Sequence, residues 1–455
     1  MRVLRALGMD GAVTYTFLAR LTNIVSSTGT VLLIIHYLSP IEQGYYYTLL
    51  SLVSLQMIFE LGFSFVILQL AAHETARLTL SPSGQIEGDI VARRRLAAVF
   101  QLTVKWYLRA AIALAVLLLP LGIAFFAGKD KGITHVAWFG PWVSAVFAVS
   151  LSFLLTPLYS FLEGCNLVRE VARMRMIQAL FTLLLSWTAI ASGHSLYTSA
   201  LINFGYAVIG AGMLYRWRRL LASLLRCPDT QGAISWRQEV WPFQWKIAVA
   251  WLASYFTLQV FTPILFVFRG PQEAGRMGLS LSIVTYIPFL ALCWILPKAA
   301  PFGRLVNLGQ LQELDRVFFR ALRQSFALIV AIAAACETGV IAAHRILPGI
   351  AARMEPPRIF IFLLAAAIGS FLVQSLAVYL RSFKREPYLL QSVVVAALTT
   401  AVALLTASRW GGAAIALDYF ALSGVFGLTW AVLIFRTFRC QRTNAWPLRQ
   451  AQQIG

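Results

Sequence analysis

Residues 55–69 read LQMIFELGFSFVILQ, a stretch that is apolar enough for the interior of a lipid bilayer and yet carries a carboxylate, Glu60. A charged side chain at the centre of a membrane helix costs about 2.5–3.5 kcal/mol on insertion scales. Such a side chain therefore usually faces a partner or a water-filled cavity. The stretch predicts that the chain spans a membrane and that Glu60 faces something other than lipid.

The composition of the whole chain also indicates a membrane protein. Of its 455 residues, 59% are hydrophobic and only 12% are charged, whereas soluble domains are about half apolar and a quarter charged. A spanning helix needs about 20 apolar residues. Twelve runs of suitable length cover residues 13–38, 45–71, 99–126, 136–162, 171–192, 196–217, 246–268, 276–297, 325–346, 359–380, 388–408 and 412–435. We predict an all-α integral membrane protein with twelve transmembrane helices.

The basic residues are distributed unevenly between the two sides of the membrane. If the helices alternate in direction, 30 of the 38 Lys and Arg residues lie on the side of both termini and eight on the other. This bias follows the positive-inside rule and predicts that both termini are cytoplasmic. The net charge of +20 is then a topology signal and an attraction for anionic lipids. We predict membrane lipids, and no nucleic acid, as partners.

A short motif occurs at equivalent places in the two halves of the chain. Residues 40–44 read PIEQG after the first apolar run, and residues 271–275 read PQEAG after the seventh. Two independent tight turns would also explain the match. We favour a duplication, with one six-helix bundle over residues 1–228, a second over 229–455, and a central cleft between them.

Two cytoplasmic segments have the pattern of short amphipathic helices. Apolar residues recur at helical spacing over residues 305–318, with charged residues between them, which predicts a helix on the inner membrane surface. Ser235 and Gln238 form a possible capping box before the seventh run, which predicts another short helix.

Polar residues within the first and seventh runs share the spacing i, i+4, i+7: Asn23, Ser27 and Thr30, and Tyr255, Gln259 and Thr262. Either hydrogen bonding between helices or the lining of a cavity would explain these stripes. The predicted substrate-binding residues are Arg20, Asn23, Ser27, Gln56, Glu60, Lys246, Tyr255 and Gln259.

Two carboxylates within the apolar runs are candidates for ion coupling. Glu60 has Gln56 and Ser64 one turn away on either side, which would form a polar face. Glu337 lies near the middle of the ninth run. For both residues, an ion site and a structural pair are open interpretations. For Asp418 in the twelfth run, we favour a structural partner such as Arg409.

Signatures of several enzyme classes are absent from the sequence. There is no G-x-x-x-x-G-K-[ST] phosphate loop, no H-E-x-x-H after His73, and no G-x-S-x-G elbow. The five cysteines are scattered and include no C-x-x-C pair. We therefore predict a protein that is not an enzyme and has no cofactor or metal.

Four segments carry a resemblance to a known family. They are residues 38–48 (LSPIEQGYYYT), 59–62 (FELG), 72–74 (AHE) and 241–248 (WPFQWKIA). The chain resembles bacterial polysaccharide biosynthesis membrane proteins. It is similar to the O-antigen and exopolysaccharide flippases of the multidrug/oligosaccharidyl-lipid/polysaccharide exporter superfamily.

The resemblance implies a multi-pass transporter of the bacterial inner membrane. It would flip an oligosaccharide linked to undecaprenyl pyrophosphate across that membrane by alternating access, for surface polysaccharide biosynthesis. Lys246, in a matched segment, and Arg20 would then meet the pyrophosphate. From the residues alone, Glu60 either faces the central cleft or pairs with a cation there such as Arg20 or Lys246. The implied partners are the lipid-linked oligosaccharide and a polysaccharide polymerase or glycosyltransferases, and the chain would work as a monomer.

Other functions are compatible with the same sequence. The main alternative is an ion-coupled, multidrug-type exporter of small molecules on the same fold. A membrane-embedded glycan polymerase, ligase or glycosyltransferase would need a sizeable outer loop with acidic or arginine catalytic groups, which the sequence lacks. A scaffold that transports nothing would tolerate neutralisation of all the polar residues named above.

Overall fold

Apolar runs of about 20 residues form helices in lipid because a helix satisfies every backbone hydrogen bond within one segment. A computed structural model of the chain describes residues 11–75, 78–80, 86–128, 136–228, 241–383 and 388–454. Nearly all of these residues are helical, and the all-α membrane fold class is confirmed. The chain forms two units, residues 1–255 and 256–455. A boundary between residues 228 and 229 stays a prediction.

The first unit contains ten helices and one strand pair within its described residues. In chain order they are α1 (Gly11–Tyr37), α2 (Pro40–Val53), α3 (Gln56–Glu60), α4 (Phe63–Thr75), β1 (Leu78–Leu80), β2 (Ile86–Gly88), α5 (Ile90–Ala127), α6 (Phe139–Gly164), α7 (Val168–Ala191), α8 (Thr198–Arg216), α9 (Arg218–Leu225) and α10 (Trp241–Leu258), which ends three residues beyond the unit boundary. The strands pair antiparallel, with Thr79 opposite Glu87, and the sequence analysis did not predict them.

The second unit is helical throughout its described residues. Its helices are α11 (Phe261–Arg269), α12 (Pro271–Ala291), α13 (Ala299–Asn307), α14 (Leu311–Ile346), α15 (Pro348–Ala351), α16 (Pro357–Arg381), α17 (Leu389–Tyr419) and α18 (Leu428–Ile454), with a π-helical segment over Phe420–Gly427. Asp315, at the start of α14, accepts hydrogen bonds from Tyr379 and, at 2.7 Å, from Arg439. This cluster joins α14, α16 and α18.

Most of the twelve apolar runs form helices that are long and apolar enough to cross a membrane. In the part of the chain that the structure describes, nine helices are long and apolar enough to cross a membrane, and the bent pair Pro40–Glu60 and Phe63–Thr75 adds a tenth. The 27-residue α1 contains a shorter apolar segment, Val25–Tyr37. The continuous segment Leu389–Gln441 is 53 residues long and has non-helical backbone angles at Gly411, so it supplies two spans.

The second span differs from the continuous helix predicted over residues 45–71. It is divided into α2, α3 and α4, with a 42° bend between the first part and α4. Leu61 and Gly62 have φ values of 49° and 64°, and two successive left-handed residues cannot continue a right-handed helix. A Cβ atom at Gly62 would also overlap the side chain of Ile247 on α10. Glycine at this position therefore permits both the break and the close approach of α10.

The repeated motif forms the first turn of a helix in both units. Pro40 opens α2, where Ser39 and Glu42 form a reciprocal capping box. Pro271 opens α12, but the residue before it is Gly270, which has no side chain to cap the helix. Glu273 therefore does not form the capping box that Glu42 forms, and its side chain binds other groups.

One predicted amphipathic helix has different bounds from those expected. Instead of a single helix over residues 305–318, α13 ends at Asn307 and α14 begins at Leu311. Gly309, with a φ of 71°, lies between them. A left-handed glycine ends a helix more readily than it continues one, so the second half of the predicted segment begins the ninth span. The predicted capping box at Ser235 and Gln238 lies outside the described residues.

We predict that Gly62→Ala destabilises the protein, because the new Cβ meets both a left-handed backbone and Ile247. The cost of such strain is about 1–3 kcal/mol. The measurement is the apparent melting temperature of the purified protein in detergent. Gly212→Ala is the matched control, since a Cβ there would meet nothing within 4 Å. Equal melting temperatures for the two variants would contradict the proposed role of Gly62.

Candidate functional site

Glu60 is the last residue of α3, directly before the left-handed pair Leu61 and Gly62. Its side chain is half-buried. Membrane transporters commonly build substrate and ion sites at such interruptions, because the backbone there offers polar groups that a continuous helix does not. The break thus explains how a carboxylate and a polar backbone segment come to occupy the middle of an apolar stretch.

Two hydroxyl groups lie next to this carboxylate. The Ser64 hydroxyl interacts with the Glu60 carboxylate and shares a hydrogen bond of 3.1 Å with the Tyr107 hydroxyl. Tyr107, on α5, is fully buried and is also close enough to Glu60 for an electrostatic interaction. Glu60, Ser64 and Tyr107 form what we call the break site.

Two aromatic rings pack against Tyr107 of the break site. The ring of Phe63 stacks on that of Tyr107 with 5.9 Å between centroids, and the ring of Phe153 lies 5.0 Å from Tyr107. A carboxylate within an apolar membrane segment can hold a proton or pair with a cation. Tyr107, Phe63 and Phe153 were missed by the sequence analysis because single aromatic residues in apolar runs usually only pack.

The predicted substrate-binding residues have different environments. Gln56 and Ser27 are half-buried, Tyr255 is buried and Gln259 is exposed. Gln56 and Glu60 lie at opposite ends of the short helix α3, and Ser64 lies beyond the break. The polar face that we predicted on one continuous helix is therefore wrong, although the contact between Glu60 and Ser64 remains. The side chains of Arg20, Asn23 and Lys246 lie outside the described residues.

Two members of the polar stripes make hydrogen bonds between helices. The Trp187 indole on α7 donates to the Thr30 hydroxyl at 3.2 Å, and the Tyr255 hydroxyl donates to the Ser51 carbonyl at 3.4 Å. Hydrogen bonds between helices are one of the two explanations that we gave for the polar stripes. For these two residues the structure favours packing over the lining of a cavity.

Glu337, the second predicted coupling residue, lies in the last third of α14 and is half-buried. Among the described residues, its Oε2 atom is buried without a hydrogen-bond partner. Its role in ion coupling stays a prediction.

Asp418 has a structural partner, as we favoured, but not Arg409. Its Oδ2 atom accepts a hydrogen bond of 2.7 Å from the Thr406 hydroxyl. Arg409 is exposed.

A second cluster of charged residues lies beside the break at Gly411. Glu273 Oε2 accepts a hydrogen bond of 3.0 Å from Arg269, and its Oε1 accepts one of 2.7 Å from the Gly412 N–H. The repeated motif singled out Glu273, but no sequence pattern connects it with residue 412. Among the described residues, no group of three or more His, Cys, Asp or Glu side chains could hold a metal.

No model of a protein family matches the sequence, and no curated protein is similar to it. Several solved structures are similar in fold. A eukaryotic MATE transporter, AtDTX14, matches with a TM-score of 0.62 and 12% identity, over 93% of this chain and 96% of that one. The MATE multidrug transporter DinF-BH, solved in complex with a ligand, matches with a TM-score of 0.61 and 14% identity, over 94% and 95%.

A third similar structure is the inward-facing conformation of a multidrug resistance MATE family transporter of the MOP superfamily. Its TM-score is 0.51, with 12% identity over 90% of this chain and 98% of that one. At identities this low, the structural similarity establishes the fold alone. The chain has the fold of the MATE transporters of the MOP superfamily.

We predict that Tyr107→Phe lowers the stability of the first unit. The variant removes a buried hydroxyl and leaves Ser64 without that partner, which costs about 0.5–1.5 kcal/mol. The measurement is the apparent melting temperature in detergent. Tyr37→Phe is the control, because Tyr37 is 49% exposed. A Tyr107→Phe protein as stable as the control would argue against a functioning hydrogen bond at the break site.

Proposed function

We propose that the chain is an ion-coupled exporter of small organic molecules that works by alternating access. The observation that carries the proposal is the similarity of fold to MATE transporters over nine-tenths or more of the chain. Similar structures include both an inward-facing and an outward-facing conformation. Alternating access would expose the binding site to one side of the membrane at a time.

The chemistry of the break site supports a positively charged ligand. Glu60 supplies a half-buried carboxylate, and its neighbour Ser64 shares a hydrogen bond with the buried Tyr107. A cationic compound would gain a charge interaction with Glu60 there. A pyrophosphate group would instead be repelled by the carboxylate.

Coupling would follow from competition for Glu60. A proton and an organic cation cannot both neutralise the same carboxylate, so proton binding from one side would release the cation to that side. The sequence has no phosphate loop for ATP, which favours an ion gradient as the energy source. Glu337 is a second candidate for ion coupling.

Flipping of a lipid-linked oligosaccharide is the second candidate function. It is favoured by the resemblance of residues 38–48, 59–62, 72–74 and 241–248 to polysaccharide flippases. Arg20 and Lys246 would then capture the pyrophosphate at the cytoplasmic mouth. In both functions the chain would be a protein of the bacterial inner membrane with cytoplasmic termini, and the flippase would work with a polymerase or glycosyltransferases.

We predict that cells producing the wild-type protein accumulate less of a fluorescent aromatic cation than cells without it, and that a protonophore abolishes the difference. Glu60→Gln should lose most of this export, because the amide can neither bind a proton nor pair with the cation. Glu87→Gln, which changes an exposed carboxylate in β2, should export normally. All variants are compared at equal amounts in the membrane.

A deletion strain separates the two functions. Normal surface glycan together with loss of cation export supports the exporter. Unchanged cation accumulation, with lipid-linked oligosaccharide building up on the cytoplasmic leaflet, contradicts the exporter and supports the flippase.

A further inference from the structure

Glu355 lies in the turn between α15 and α16, outside the membrane-spanning helices, and yet it is only 3% exposed. Its backbone N–H donates a hydrogen bond of 3.0 Å to the Ser280 hydroxyl on α12. Among the described residues, its Oε1 atom is buried with no hydrogen-bond partner. An ionised carboxylate in this position would be costly, because a buried charge needs a partner for each of its oxygens.

The side chain of Glu355 points at the break in the last two spans. A Cβ atom at Gly412 would lie 2.6 Å from its Oε1, and the preceding Gly411 has a φ of 61°. The Gly412 N–H already donates to Glu273. Two carboxylates, Glu355 and Glu273, therefore face the same two residues at the start of the twelfth span.

Other charged groups near this position only partly balance the two carboxylates. Arg269 is bound to Glu273. Arg276, on α12, is exposed and donates at 2.9 Å to the Ala352 carbonyl, which fixes the turn that carries Glu355. Arg358 and Arg409, on the helices that follow and precede, are exposed, and Arg353 lies in the same turn as Glu355.

Burial is the main reason that the pKa of Glu355 is raised from 4.5 to about 7. Repulsion by Glu273 raises this pKa further, and attraction by Arg276 opposes the rise. Protonation removes the buried charge and turns one oxygen into a donor. The burial of Glu355, its unpartnered Oε1 atom and its closeness to Glu273 all favour the protonated, neutral carboxyl.

We propose that Glu355 is a proton-binding site that controls how firmly the start of the twelfth span is held. With the proton bound, Glu273 alone carries negative charge beside Gly412 and keeps its hydrogen bond to that N–H. When Glu355 loses the proton, the second charge repels Glu273 and weakens this hold. The predicted topology places the site on the side of the membrane away from the cytoplasm, so it would sense the proton concentration there.

The direction of the pH effect follows from the raised pKa. The folded protein binds this proton more tightly than the unfolded chain does, so the stabilisation is full at low pH. It is lost as the pH rises from 4.5 through about 7. The site requires no transported substrate, and it is tested separately from the proposed export.

The test is an infrared titration of the purified protein in lipid nanodiscs between about pH 4 and about pH 9. A carboxylic acid C=O band should disappear with a midpoint near neutral pH in the wild-type protein. Its amplitude should fall by the contribution of one carboxyl in Glu355→Gln and be unchanged in the control Glu313→Gln, whose carboxylate is 45% exposed. An amplitude in Glu355→Gln equal to that of the wild-type protein would overturn the proposal.

Two further variants keep the test decisive if Glu355→Gln folds poorly. Glu273→Gln removes the repulsion and should move the midpoint to lower pH, while Arg276→Gln removes the attraction and should move it to higher pH. Each shift should be up to about one pH unit. The melting temperature of the wild-type protein should also fall across the same pH interval. Midpoints that do not move in either variant would contradict the assignment to Glu355.

Discussion

A break in a membrane helix leaves backbone N–H and C=O groups without their usual partners, and lipid offers none in return. This constraint accounts for the polar chemistry in both units. The Leu61–Gly62 break of the first unit has Glu60 beside it, and the Gly411 break of the second has Glu273 and Glu355. In each unit, acidic side chains lie where a spanning helix is interrupted.

The two breaks use their carboxylates differently. Glu273 is fixed by a cation and by a backbone amide, so its charge is compensated and its role is structural. Glu60 interacts with the hydroxyl groups of Ser64 and Tyr107, and hydroxyl groups do not neutralise a charge. A carboxylate of the second kind is suited to exchanging protons or cations, which is why the export proposal centres on Glu60.

Much of the fold follows directly from the sequence. Apolar runs of about 20 residues are a strong signal for membrane helices, and the twelve spans emerge from them. The breaks were not predicted, because left-handed backbone angles within an apolar run leave the hydropathy unchanged. Gly62 was visible as a glycine, but the left-handed backbone of Leu61 and the approach of Ile247 depend on tertiary packing.

The sites were predicted less completely than the fold. Glu60 stood out because a charge in an apolar run is unusual, and its neighbour Ser64 was close in sequence. Tyr107 and Glu355 gave no such signal, since the first lies in another helix and the second in a polar turn. The hydrogen bond from Gly412 to Glu273 joins residues far apart in the chain, and no local pattern records such a pairing.

Proton release on ligand binding is the most direct test of the central claim that Glu60 exchanges a proton for an organic cation. An aromatic cation is added to the purified protein in weakly buffered solution, at a pH where the site is protonated, and the change in pH is recorded. The account predicts that binding acidifies the solution and that Glu60→Gln abolishes this release. Binding of the cation to the wild-type protein without any release of protons would contradict it.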